Sequence, residues 1–242
     1  RSNAKKIVFA EADHLDVLKA AQIVHEEGIA EPILLGRKDI ILELKKELEF
    51  DADIAIIDPM SDEFDERHVR YATKYWESRK RSGVTFYSAK IKMRERNYFG
   101  AMMVLEGDAD GMVSGYSRAY PTVVKPILEV IGRASGVKKV ATVNIMITER
   151  GPLFLADTSI NIEPNAEELA DIAKMTANVA STFGFDPVLA MLSYANFGSS
   201  THPNATKVRE AVRILHETAP NLVVDGEIQT DFALNKELHE SK

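Results

Sequence analysis

VLAMLSYANFGSS, Val188 to Ser200, is an apolar run that stops abruptly at small polar residues. Val188–Leu192 predicts a buried strand. Ser193, Asn196, Gly198, Ser199 and Ser200 predict a tight, hydroxyl-rich loop, and Pro203 leads into an amphipathic helix over Ala205–His216. A strand ending above a helix N-terminus suits an anion, because the first N–H groups of a helix lack partners and its dipole favours negative charge. Gly198 lets the backbone approach a ligand closely. The stretch predicts an α/β fold with a loop for a phosphate or carboxylate; the alternative is a serine-rich turn that binds nothing. His202, a single loop histidine, is a weak candidate base.

Outward from this stretch, short apolar runs alternate with amphipathic helices. Strands are predicted at Lys6–Ala10, Pro32–Leu35, Ile54–Ile57 and Gly111–Val113. The helices between them are Leu15–Glu27, Lys38–Leu48, a long one capped by Ser61 with Asp62 and Glu63 in its first turn, and one from Thr85 to Leu105. Pro121–Ile131 is a further helix. The alternation implies a mostly parallel sheet covered on both faces. After Gly136 the rhythm changes: β-rich Val140–Thr148 and Leu153–Ala156 flank the turn Glu149-Arg150-Gly151-Pro152. A helix Ala166–Phe183, the quoted strand and helix, and a strand Leu222–Val224 follow. Two α/β domains are expected, 5–138 and 139–242. Arg1-Ser2-Asn3-Ala4 lacks an initiator Met and is taken as a cloning scar.

At 242 residues and 45% hydrophobic, the chain can bury a large core. Its net charge of -7, with no long basic block, disfavours nucleic acid. Arg79-Lys80-Arg81 falls at a helix end, where cations complement the dipole. The absence of cysteine excludes disulfides and thiolate chemistry on the protein. No apolar run approaches the roughly 18 residues of a membrane span, and a cytoplasmic setting is expected.

In open α/β sheets ligands sit beyond the carboxyl ends of strands, which singles out three more clusters. Ser114-Gly115-Tyr116-Ser117-Arg118 follows Gly111–Val113: Ser114 and Gly115 offer small donors, Arg118 can hold a phosphate bidentately, and Lys125 adds a second charge. The alternative is a solvated loop. Asp157-Thr158-Ser159-Ile160-Asn161 follows Leu153–Ala156; Asp157 can accept from a ligand, or serve the turn alone. In Asp225-Gly226-Glu227-Ile228-Gln229-Thr230-Asp231, which follows Leu222–Val224, an extended backbone would project Asp225, Glu227 and Gln229 to one side. That arrangement allows a hydrogen-bonding shelf, a pair of proton acceptors or, least of all, a metal site, since no His or Cys cluster accompanies it. Arg94-Glu95-Arg96 is expected on a helix as a salt-bridged face, and Met102, Met103 and Met112 in a core. No GxGxxG, P-loop or GxSxG pattern occurs.

These clusters, in this order, resemble the phosphotransacetylase (phosphate acetyl/butyryl transferase) family from about Lys6 onward. The most specific parts are GPLFLADTSINIEPNAEELADIA (Gly151–Ala173), AMLSYANFGSS (Ala190–Ser200), KVREAV (Lys207–Val212) and VVDGEIQTDFAL (Val223–Leu234). The resemblance implies two α/β domains with a cleft between them, like isocitrate and isopropylmalate dehydrogenases, and a homodimer or larger homo-oligomer. It implies transfer of an acetyl group between phosphate and coenzyme A. The deprotonated CoA thiol attacks the acetyl carbonyl while cationic and hydrogen-bonding groups hold phosphate, so no protein cysteine is needed. Ser193–Ser200 would border the phosphate end and Ser114–Arg118 would face it from the other domain.

Two departures shape the functional expectation. Ala195-Asn196-Phe197-Gly198-Ser199-Ser200 stands where stand-alone transacetylases tend to have a Ser-Thr-Lys-Gly-Ser-Gly-like run, and with KMRERNYFGAMMV (Lys92–Val104) it looks like the transacetylase-like domain fused behind bacterial NADP-dependent malic enzymes. Lys125-Pro126 stands where active enzymes usually carry Arg-Pro, and Lys cannot reproduce a bidentate phosphate contact. The family's catalytic Ser-Arg and Asp belong to a C-terminal segment expected beyond Lys242, so no proton acceptor is named. The leading expectation is therefore a regulatory module that binds acetyl-CoA or a related acyl or phosphate metabolite, with NADP and a divalent metal confined to a fused malic-enzyme region. The rival is an active phosphate acetyltransferase, with phosphate butyryltransferase third.

Overall fold

Apolar residues that alternate between two buried faces build the first sheet. In β1 (Lys6–Phe9) and β2 (Glu31–Leu35), Val8, Ile33 and Leu35 enter one core cluster while Phe9 and Leu34 enter another. Both faces are thus buried, as a parallel sheet requires. The computed structural model describes residues 4–61, 66–235 and 237–238. It divides the chain into two units, 1–134 and 135–242.

In the first unit β3 (Ile56–Ile57) and β4 (Gly111–Val113) complete a parallel sheet of order β3-β2-β1-β4. Helices α1 (Leu15–Glu26) and α2 (Lys38–Glu47) cover one face, with Leu18 and Ile41 wholly buried. Helix α3 (Glu66–Arg79) supplies Tyr71 and Tyr75 to the opposite face. The expected first-turn residues Asp62 and Glu63 lie outside the described residues. Because β2 lies on one side of β1 and β4 on the other, the connections diverge between β1 and β4, and the crevice there is a topological switch point.

The single helix expected over Thr85–Leu105 is two. α4 (Phe86–Lys92) opens with a Thr85–Ser88 capping box, and α5 (Arg96–Leu105) starts afresh with Glu95 as N-cap, accepting from the N–H groups of Asn97 (3.2 Å) and Tyr98 (3.1 Å). Arg94-Glu95-Arg96 is therefore a helix break, and Arg96 reaches Asp13 bidentately at 2.6 and 3.0 Å. Met102 and Met103 are buried from α5, with Met112 packed against the same cluster. α6 (Tyr120–Val130) has Pro121 in its first turn.

In the second unit β5 (Val143–Thr148) and β6 (Gly151–Ala156) pair as an antiparallel hairpin around Glu149-Arg150. α7 (Ala166–Thr182) begins at an Asn165–Glu168 capping box. β7 (Val188–Leu192) and β8 (Val223–Ile228) pair in parallel, with α8 (Pro203–Thr218) between them in sequence and α9 (Thr230–Leu234) after them. Ala173, Met191, Val212, Leu215 and Val224 form the core of α7, α8 and the two strands. β8 runs four residues beyond the expected end at Val224, because its parallel partner satisfies the backbone where local Asp-Gly preference favours a turn. Among the described residues no helix is long and apolar enough to cross a membrane.

Candidate functional site

Each unit carries a polar loop beyond a strand end, and each loop is organised by a buried carboxylate of the chain itself. In the first unit Glu11, just past β1, is 1% exposed. Its Oε1 accepts from the N–H groups of Gly115 (2.6 Å) and Tyr116 (2.9 Å), and its Oε2 from the N–H of Ser117 (2.8 Å) and the Ser117 hydroxyl. Burial pushes the Glu11 carboxyl up, but the Ser117 hydroxyl and the three N–H groups outweigh it and hold the pKa at about 2, against an ordinary 4.5. Gly115, at φ 107°, turns its N–H inward onto Glu11. The Ser114 hydroxyl donates to Asn97 Oδ1 at 2.7 Å. The small donors expected at Ser114 and Gly115 are thus engaged within the protein, whereas Arg118 is exposed and has no partner among the described residues. Lys125 is exposed on α6, 4.0 Å from Glu129 on the same helix.

In the second unit Asp157 holds its own turn together. Its oxygens accept from the N–H groups of Thr142, Ser159 and Ile160 and from Asn161 at 2.7 Å, as well as from the Thr142 hydroxyl. Burial raises the Asp157 carboxyl, but the Thr142 hydroxyl, followed by the N–H groups of Ser159 and Asn161, keeps it far below the usual carboxylate range.

The quoted loop and the end of β8 do come together. Asn196 and Gln229 form a reciprocal pair: Asn196 Nδ2 donates to Gln229 Oε1, and the Gln229 N–H donates to Asn196 Oδ1, both at 2.7 Å. Ser199 Oγ accepts from the Asn196 N–H at 3.0 Å, and Ser200 Oγ lies 2.9 Å from the Tyr194 hydroxyl. The Gly198 N–H donates to Glu227 Oε1 at 2.8 Å, and Arg209 of α8 donates to both oxygens of the same carboxylate, at 2.8 and 3.0 Å. Arg209, ahead of the cost of burial and the Gly198 N–H, holds Glu227 at about 2. The backbone N–H of Ser193 donates to the Ile228 carbonyl at 2.9 Å, while its half-buried hydroxyl has no partner among the described residues.

The expected one-sided row of Asp225, Glu227 and Gln229 is not formed. Met191 is opposite Gly226 and Leu192 opposite Ile228, so Glu227 is an extra residue in the strand. Such a bulge breaks the period-two alternation: Asp225 is exposed and Glu227 wholly buried. Gly226 admits the neighbouring strand, since a Cβ there would lie 2.5 Å from the Met191 carbonyl oxygen. His202 caps α8, its Nδ1 accepting from the Asn204 N–H at 3.2 Å. Among the described residues no three His, Asp or Glu gather as a metal ion would need.

Sequence reasoning missed Glu11 and set Glu227 in a row with Asp225 and Gln229, whereas it is wholly buried. Glu11 directly follows the first strand, the position that singled out the other loops, and that was the available signal. Among the described residues of these loops the Arg118 guanidinium and the Ser193 hydroxyl are without a partner, and most of the loop amides already serve internal acceptors.

A family model described as phosphate acetyl/butaryl transferase matches residues 1–242. The chain is 42% identical to a phosphate acetyltransferase of Thermoanaerobacterium thermosaccharolyticum over all of its own length and 75% of that protein. It is 36% identical to the NADP-dependent malic enzyme of Escherichia coli, over 97% of the chain but 31% of that enzyme. The EutD phosphotransacetylase from Staphylococcus aureus superimposes with a TM-score of 0.85 at 33% identity, over 99% of this chain and 73% of that one. These matches overturn the expectation of a regulatory malic-enzyme module: identity over the whole chain is higher to a stand-alone transferase, and the wording of Asn196-Phe197 does not outweigh it.

Proposed function

The chain belongs to the phosphate acetyl/butyryl transferase family, and on that premise we propose that it is a phosphate acetyltransferase, interconverting acetyl phosphate and CoA with acetyl-CoA and phosphate. The observation that carries this reading is the 42% identity to a phosphate acetyltransferase across the entire chain. In the forward direction the CoA thiolate attacks the acetyl carbonyl, a C–S bond forms, the C–O bond to phosphorus breaks, and phosphate leaves with the electron pair. Negative charge grows on the carbonyl oxygen and on the departing phosphate, so the protein's contribution is fixed donors and cations at those points. Arg118, without a partner among the described residues, supplies a permanently charged fork for the phosphate. In the second unit the Ser193 hydroxyl is without a partner among the described residues. The reading carries with it a dehydrogenase-like two-domain architecture, a cytoplasmic homodimer, and CoA and acetyl phosphate as substrates without a resident cofactor.

Acetyl phosphate and CoA mixed with the protein should give acetyl-CoA and phosphate in equal amounts, followed by thioester absorbance and phosphate assay. Thioester formation no faster than in protein-free controls ends the proposal. Arg118→Gln should raise KM for acetyl phosphate about tenfold or more, as expected for loss of a charge-assisted pair, with KM for CoA nearly unchanged.

A further inference from the structure

At the switch point between β1 and β4, where an open α/β sheet ordinarily receives its ligand, the chain has placed its own carboxylate. Glu11 engages the three consecutive N–H groups of Gly115, Tyr116 and Ser117. The buried Asn97 side chain ties the two sides of the same loop together, accepting from the Ser114 hydroxyl at 2.7 Å and donating to the Thr122 carbonyl at 3.2 Å. A third tie holds the outer edge, where the Tyr116 hydroxyl donates to Asp16 at 2.5 Å and the Tyr116 ring meets His14 edge-on. Between the Glu11 clamp and the Thr122 tie stands Arg118, exposed and without a partner among the described residues. A loop tied at its centre and both sides loses little entropy when Arg118 meets an anion.

We propose that Glu11 is a positioning residue: by filling the N–H groups of the loop it fixes the backbone that presents Arg118 to the phosphoryl group of the substrate. The proposal rests on the transferase reading for the identity of that substrate. Glu11 itself touches no substrate, because its oxygens are enclosed by the loop. Replacing one carboxylate oxygen by an amide nitrogen, as in Glu11→Gln, leaves one acceptor for the three N–H groups of residues 115–117, lets the loop reorient, and removes Arg118 from its set position.

The test is a double-mutant cycle in the intact chain, combining Glu11→Gln with Arg118→Gln. Glu11→Gln should raise KM for acetyl phosphate about tenfold while leaving KM for CoA within about twofold, and this penalty should vanish in the Arg118→Gln background. Additive effects, or equal changes in both KM values, overturn the proposal, since a purely structural Glu11 acts independently of Arg118. Ser117→Ala, which removes one donor to Glu11 and leaves the carboxylate in place, should move in the same direction if Glu11→Gln does not fold; no change in KM for acetyl phosphate counts against it. Inorganic phosphate titrated calorimetrically into the same variants separates this proposal from the transferase reading. A protein that turns over nothing yet binds phosphate in the Glu11- and Arg118-coupled manner loses the second and keeps the first. Phosphate binding equal in all variants removes the proposal.

Discussion

Gly226 shows how one residue can be required for a reason its neighbours in sequence do not reveal. Its φ is 141°, a conformation costly for residues with a side chain, and an added Cβ would meet the Met191 backbone oxygen at 2.5 Å. Neither backbone can yield without disturbing the pairing of β7 with β8. Gly226→Ala should therefore destabilise the second unit by about 3 kcal/mol, read as a lower urea midpoint with an unchanged slope; a change below about 0.5 kcal/mol would show that the strands adjust freely. Glu227, next to it, was visible as one of several acidic residues after a predicted strand. That it is wholly buried and clasped by Arg209 was not, because Arg209 lies 18 positions away on α8. For Glu11 the separation is greater still: its donors lie 104 to 106 positions downstream. A residue list can show that a carboxylate follows a strand, but not that a loop closes over it.

At the scale of elements, local rules work where the cap and the apolar period agree. α7 opens at the Asn165–Glu168 capping box and spans the expected apolar face. They fail where a polar side chain competes with the helix for its own backbone. Through Thr85–Leu105 the apolar spacing continues, yet Glu95 caps a new helix and so divides the run. Glu95→Ala leaves the N–H groups of Asn97 and Tyr98 without this acceptor and should cost about 1 kcal/mol. Chemical denaturation tests this, and full stability in the variant would mean that the break is imposed by packing alone. β8 fails in the opposite sense. Its Asp225-Gly226 dipeptide favours a turn, but ladder bonds to β7 extend the strand to Ile228 and force the bulge at Glu227. The bulge in turn sets Gln229 opposite Asn196, joining two candidate residues 33 positions apart.

Across the whole molecule both units rely on carboxylates held ionised by internal donors, and this predicts a shared response to acid. Glu11 and Glu129 in the first unit and Glu227 in the second are each held at about 2, down from 4.5. Because their folded pKa values are depressed, their stabilisation is complete above pH of about 4.5 and is lost as pH falls from there toward about 2. Urea midpoints should be nearly level from about pH 7 to 5 and drop steeply below about 4, with a shallower drop in Glu11→Gln. An unchanged slope in that variant would show that Glu11 titrates normally. The sequence by itself determined the α/β alternation, most strand positions, the family, and the loops at which chemistry is sought, because hydrophobic period, caps and short motifs are local properties of the chain. Only the tertiary structure decided which polar groups in those loops are left for a ligand. A donor's availability depends on whichever acceptor folding brings to it. In this chain Glu11, Asp157 and Glu227 reach most of the donors first, and among the described residues the Arg118 guanidinium and the Ser193 hydroxyl are left without a partner.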